Sequence, residues 1–207
     1  MYYWLIYTTT GAIGTHSSSH SPFLNDQFDA NLIPSGFALI GVYDDATNKM
    51  DTTTQAAYDS PRAYLYQKGA FVANAAWPAQ QLANAKAAQT TALEAAMNAT
   101  LTGGFTAKTL VGGATTPHTY PTDARAQSNF SGLVAAFTAN QNKASTTILT
   151  LDAGWISHTK AEFFGVYSDG DSWKEAQYTQ LATLVTKLEP ASTLADVQAI
   201  TWAEATY

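Results

Sequence analysis

The sequence contains no cysteine, so disulfides, thiol nucleophiles and thiolate metal sites are excluded. Charge is scarce: 13% of the 207 residues are Asp, Glu, Lys or Arg, about half of the roughly 25% usual in a soluble domain. Arg62 and Arg125 are the only arginines, and the 10 basic residues face 16 acidic ones for a net charge of −6. Nucleic-acid binding through a basic stripe is therefore not expected, because it needs clustered cations to displace counterions. No run approaches the ~20 apolar residues of a membrane span, and no membrane partner is expected. Residues 1–7 lack the charged start and long apolar stretch of a secretion signal.

What is present is apolar and small. Hydrophobic residues make up 46% of the chain, enough for a substantial core. Ala and Thr carry much of the rest, with runs such as Thr8-Thr9-Thr10 and Thr52-Thr53-Thr54. The fold class expected is α+β, in three stretches: a mainly antiparallel β domain over 1–78, a connecting helix over 79–104, and an α+β domain over 105–207.

In the first stretch Tyr2-Tyr3-Trp4-Leu5-Ile6-Tyr7 reads as a strand buried on both faces. Gly11 and Gly14 mark a turn, and 16–22 a polar loop. A second strand lies at 36–43, closed by Asp44-Asp45. Tyr64-Leu65-Tyr66 and Ala70-Phe71-Val72 flank Gln67-Lys68-Gly69 as a hairpin. From 79 to 101 there is no Gly or Pro, and alanine abounds, so a helix of about six turns follows, ended by Gly103-Gly104. Its apolar stripe is Leu82, Ala85 or Lys86, Gln89, Leu93, Ala96 and Leu101. The stripe suits either a domain-packing helix or an oligomerising coiled-coil stalk. Only Lys86 and Glu94 are charged in it, as if neighbouring chains covered its surface.

In the last stretch, 105–111 and 116–120 suggest a hairpin. Thr122 or Asp123 caps a helix to Ala139, with Phe130, Leu133, Val134 and Phe137 on one face. Strands are expected at 146–151 and 155–158, and again at 163–167, closed by Ser168-Asp169-Gly170-Asp171. Helices follow over 174–188 and, from a Ser192 cap, over 194–202.

Chemical motifs are few. His16 and His20 are four apart but separated by serines, which favours a solvent loop over a metal site shared between subunits. Asp169-Gly170-Asp171 lacks the distal Glu of a calcium loop and reads as a turn. No nucleophile elbow and no phosphate loop occurs. His118 is isolated, and His158, in a strand pattern, suits a hydrogen-bonded core or edge position. Trp4, Trp155 and Trp202 sit in apolar runs and are expected in the core. No catalytic residue, metal ligand or cofactor site is assigned, and the protein is not expected to be an enzyme.

Two sets of residues resemble a known family. Tyr3-Trp4-Leu5-Ile6-Tyr7-Thr8-Thr9-Thr10-Gly11-Ala12-Ile13, with Ala63-Tyr64-Leu65-Tyr66-Gln67-Lys68-Gly69 and Trp77-Pro78, resembles the N-terminal domain of small bacteriophage tail proteins. Thr119-Tyr120-Pro121-Thr122-Asp123, Gln127-Ser128, Tyr167-Ser168-Asp169-Gly170 and 192–202 are similar to an uncharacterised domain at the ends of phage and prophage tail proteins. The Ser/His loop at 15–22 departs from the first pattern. The resemblance implies a virion structural protein, made in the host cytoplasm, that links fibre or spike to the baseplate. Its implied partners are other tail, baseplate and fibre proteins. The 79–101 helix and the aromatic content add an expectation of homo-oligomerisation, as a trimer or an assembly matched to tail symmetry. A fibre-assembly chaperone and a carbohydrate-binding receptor-recognition tip are the alternatives.

Overall fold

A computed structural model of the chain describes residues 1–18, 22–24, 27–44 and 48–207, without the side chains of residues 23, 24, 27, 28 and 44. The fold is α+β and divides into two units, Met1–Gln81 and Leu82–Tyr207.

In the N-terminal unit, β1 (Tyr2–Thr8) is the middle strand of a three-stranded antiparallel sheet, between β2 (Ile13–Ser18) and a third strand introduced below. Trp4, Leu5 and Ile6 are consecutive and all buried, so both faces of β1 are covered, as the unbroken apolar run implies. A short hairpin follows, β3 (Phe23–Leu24) and β4 (Gln27–Phe28), and then the third strand, β5 (Phe37–Asp44). The expected loop at 16–22 begins later than its composition indicates. His16 lies in β2 opposite Trp4, and the two rings stack at 5.5 Å. A helix not expected from the threonine run, α1 (Thr52–Asp59), is started by Asp51, whose carboxylate accepts the Thr54 N–H. The hairpin at 64–73 is present as β6 (Tyr64–Gln67) and β7 (Ala70–Ala73). Its turn residues Lys68 and Gly69 both have positive φ, the geometry that matches strand twist in a two-residue loop.

The long helix, α2 (Trp77–Gly103), crosses from one unit to the next. Its stripe is spent inside the C-terminal unit. Leu93 is buried with Leu184, Leu188, Ala191 and Val197, and Leu82 and Ala85 pack against the same cluster. The Lys86 ammonium donates to the Glu189 carbonyl at 2.7 Å. This is the domain-packing role of the helix, with its other face left outward.

Beyond α2 come β8 (Phe105–Thr106) and β9 (Thr119–Tyr120), paired antiparallel; the expected hairpin exists but only two residues of each arm are strand. Then come α3 (Ala124–Ala139), capped by Asp123 through the Ala126 N–H, and the hairpin β10 (Ser145–Thr150) with β11 (Gly154–Thr159). The expected strand at 163–167 is wrong, and so is the turn at Asp169-Gly170-Asp171. All of these residues lie in α4 (Lys160–Leu188), one unbroken helix. Thr159 and Glu162 form a reciprocal capping box at its start. Phe163 and Val166 are fully buried, three residues apart on one face. The two glycines serve close packing. A Cβ on Gly165 would lie 2.7 Å from Thr109 Oγ1, and one on Gly170 would lie 2.8 Å from Phe105 Cζ. The Asp169 carboxylate accepts the Thr109 N–H at 2.7 Å, so segment 105–109 is pinned across the helix. The last helix, α5 (Leu194–Gln198), is shorter than expected and is capped by Thr193, one residue after Ser192, through a second reciprocal box with Asp196.

The core of the unit is aromatic. Phe105 lies 5.5 Å from Trp173 and 5.7 Å from Tyr120, and Phe163 lies 5.1 Å from Phe137. Irregular residues 199–207 run past this core as a strap held by side chains. Gln89 Nε2 donates to the Ile200 carbonyl, Trp202 Nε1 to Thr100 Oγ1, and Trp173 Nε1 to Glu204. The fully buried Gln177 amide both donates to the Ala205 carbonyl and accepts its N–H, each at 2.9 Å.

Candidate functional site

The polar chemistry of the C-terminal unit begins at its small strands. The His118 Nδ1 lies 2.8 Å from Asp152, whose other carboxylate oxygen accepts the Thr119 N–H. The His118 hydrogen bond holds the Asp152 carboxyl below its usual range. The pair fastens β9 to the turn of the β10–β11 hairpin.

His158 is fully buried, in keeping with its strand pattern. Its Nδ1 faces the Ile156 carbonyl at 3.0 Å and its Nε2 faces the Tyr120 hydroxyl at 2.8 Å. A carbonyl only accepts, so Nδ1 carries the proton and Nε2 receives the hydroxyl. Burial lowers the His158 pKa and pushes the Tyr120 hydroxyl up to about 12. Each group is therefore held neutral, and the pair is a satisfied element of the core.

The remaining candidates separate. His16 sits on β2, while His20 lies outside the described residues, as does Asp45. Among the described residues no group of three or more His, Asp or Glu side chains could hold a metal ion. Asp169 is spent on backbone, and Asp171 pairs with Lys174 at 3.0 Å.

Concavities mark the surface of this unit. One, of about 210 Å³, lies between α3 and α4, floored by Phe105, Phe130 and Trp173 and rimmed by Tyr167, Tyr178 and the Asp171–Lys174 pair. Another, of about 510 Å³, lies between α3 and the β10–β11 hairpin. Its hairpin wall follows from strand alternation. Ile148, Thr150, Ile156 and His158 turn inward, so Leu149 and its cross-strand partner Trp155 turn out. Trp155 is 66% exposed and Leu151, beside it, 56%. The expectation that Trp155 belongs to the core is thus overturned: a two-stranded sheet covered on one side cannot bury alternate residues on both faces. The helical wall is Arg125, Ser128, Asn129 and Gly132, spaced to share one face.

Residues 84–203, over half the chain, match the family described as a domain of unknown function, DUF4376. The chain belongs to this family. No curated protein and no solved structure matches it. The DUF4376 segment begins just inside the C-terminal unit, and all the residues lining both concavities fall within it. No sequence reasoning singled out the groove, because Arg125, Asn129 and Trp155 come from two elements that meet only in the fold. The signal available was the alternation of Trp155 with Ile156 and His158.

Proposed function

We propose that this DUF4376 protein is a structural component of a bacteriophage tail, joining fibre or spike components to the baseplate through protein–protein contacts. The observation that carries the proposal is the outward face of α2. Ala83, Ala87, Ala88, Thr91, Ala92, Ala95, Asn98 and Ala99 are all exposed there, and Glu94 is the one charge among the exposed residues from 82 to 101. Lys86, the other charge of this helix, is half-buried and its ammonium donates to the Glu189 carbonyl. A long face of small uncharged side chains suits close contact with another chain, where interface cores are depleted of charge. The tail-protein resemblance of residues 3–13, 63–69 and 192–202 supports the same reading. Self-association matched to tail symmetry belongs to it.

The test is mass spectrometry of purified tailed particles produced from the genome that encodes the chain. The protein is expected in the mature particle in a fixed ratio to the baseplate proteins. Its absence from mature particles, with presence in the lysate, would refute the proposal. Light scattering of the purified chain should also give more than a monomer mass at tens of micromolar.

A further inference from the structure

The groove between α3 and the β10–β11 hairpin carries chemistry that the structural role does not use. We propose that it binds a neutral oligosaccharide, with one pyranose ring stacked on Trp155. This inference is independent of the virion reading and rests on four features of the groove.

The first is the platform. Trp155 stands on a hydrogen-bonded strand opposite Leu149, so its indole is presented from a fixed backbone position and is 66% exposed. An aromatic face of this kind matches the C–H face of a pyranose, which is flat and apolar while the ring's rim is hydroxylated. The second is the unspent polar groups. Arg125, Ser128 and Asn129 lie at successive positions of one helical face, and within the described residues none of their side chains has a hydrogen bond or ion pair. Together they offer guanidinium donors, an amide that donates and accepts, and a hydroxyl that does both, which is the set needed by hydroxyls that also do both. The third is charge. Arg125 shares the groove with Asp123, whose carboxylate spends one oxygen on the Ala126 N–H. One cation and one anion favour a ligand without net charge. The fourth is room. The groove is about 510 Å³, in the range of small-ligand sites. A Cβ at Gly132 would meet nothing within 4 Å, so the helical wall is open where the glycine stands.

The geometry makes Gly132 the discriminating position. Gly132→Leu fills the groove without removing a polar group, and it replaces glycine by a strong helix former, so folding is not put at risk. Arg125→Ala and Asn129→Ala remove hydrogen-bonding groups and leave the space. The full-length, isotope-labelled chain would be titrated with neutral oligosaccharides of glucose, galactose, mannose and N-acetylglucosamine to tens of millimolar. The Trp155 indole N–H resonance, assigned by its loss in Trp155→Phe, is the readout. At least one sugar is expected to shift it saturably. Asn129→Ala or Arg125→Ala should weaken that binding about tenfold, the equivalent of roughly 1.4 kcal/mol, and Gly132→Leu should abolish it. The proposal is overturned if no sugar in the panel shifts the resonance, or if the shift persists in Gly132→Leu. It is equally overturned if the resonance moves with protein concentration and not with sugar, which would make this face a contact between copies of the chain.

Discussion

Replacing Gly170 by alanine sets two known effects against each other at one atom. Alanine in a helix interior is favoured over glycine by about 0.8–1.0 kcal/mol. In α4 the added Cβ would lie 2.8 Å from Phe105 Cζ, well inside the ~3.5–4.0 Å of a comfortable carbon contact. The ring cannot easily retreat, because Phe105 is buried between Trp173 at 5.5 Å and Tyr120 at 5.7 Å. Overpacking of this kind costs about 1–3 kcal/mol. Gly170→Ala should therefore be neutral to destabilising by about 2 kcal/mol once the helical gain is subtracted. Gly132→Ala in α3 has the same helical gain and no neighbour within 4 Å, so it should stabilise by about 0.5–1 kcal/mol. Urea unfolding of the full chain by far-ultraviolet circular dichroism would compare the two. In a Phe105→Leu background the clash is relieved, and Gly170→Ala should regain part of its helical benefit, a coupling that a double-mutant cycle isolates. If Gly170→Ala stabilises as much as Gly132→Ala, the close approach of segment 105–109 to α4 is refuted.

Four other perturbations follow from the hydrogen bonds of the C-terminal unit. Tyr120→Phe leaves the buried His158 Nε2 without its donor and should cost about 1–3 kcal/mol in chemical denaturation. Since the folded state holds the His158 pKa below its ordinary value, the unfolded chain takes up protons first, and stability should fall as pH drops through about 6.5 towards that lowered pKa; a midpoint that rises on acidification would contradict this. Glu162→Gln weakens the bonds that lower the Glu162 pKa, from Thr159 and the Gly112 N–H. Their contribution is present above the ordinary glutamate pKa and is lost as pH falls through the lowered one, so any advantage of the wild type over Glu162→Gln in chemical denaturation, small for so exposed a carboxylate, should disappear on acidification. Gln177→Ala should free the strap, and hydrogen exchange at the Ala205 amide should rise sharply while exchange in β10 and β11 stays slow.

Much of the architecture is legible from local rules. The unbroken run at Trp4, Leu5 and Ile6 gives a strand covered on both faces, and Thr122 or Asp123 before a 3.6-residue apolar period gives α3 and a cap, which proves to be Asp123. The first half of α4 was illegible for a physical reason. Residues 163–167 have the composition of a strand and Asp169-Gly170 carries the signal of a turn, yet Gly165, Asp169 and Gly170 are each placed to receive a segment about 60 residues earlier in the chain. Local chemistry cannot distinguish a glycine that bends a backbone from one that makes room for a neighbour. The helix start itself was available in Thr159 and Glu162, spaced as a capping box. In the groove, the alternation around Trp155 was readable, but its pairing with Arg125 and Asn129 required the packing of α3 on the hairpin.

The strap has a consequence for how the chain is made. Gln89, Thr100, Trp173 and Gln177 hold residues 200–205, joining segments as far as 111 residues apart. Contacts this distant in sequence are slow to close and late to form. During synthesis, α2 and the hairpins leave the ribosome long before their final partner does. Until residues past 200 have emerged, the Leu93 cluster lacks its Ile200 and Trp202 cover, and the nascent unit exposes a sticky half-core. The C-terminal unit is thus expected to fold only once residues 200–205 have emerged, while the N-terminal sheet, whose strands are complete by residue 44, can assemble well before them.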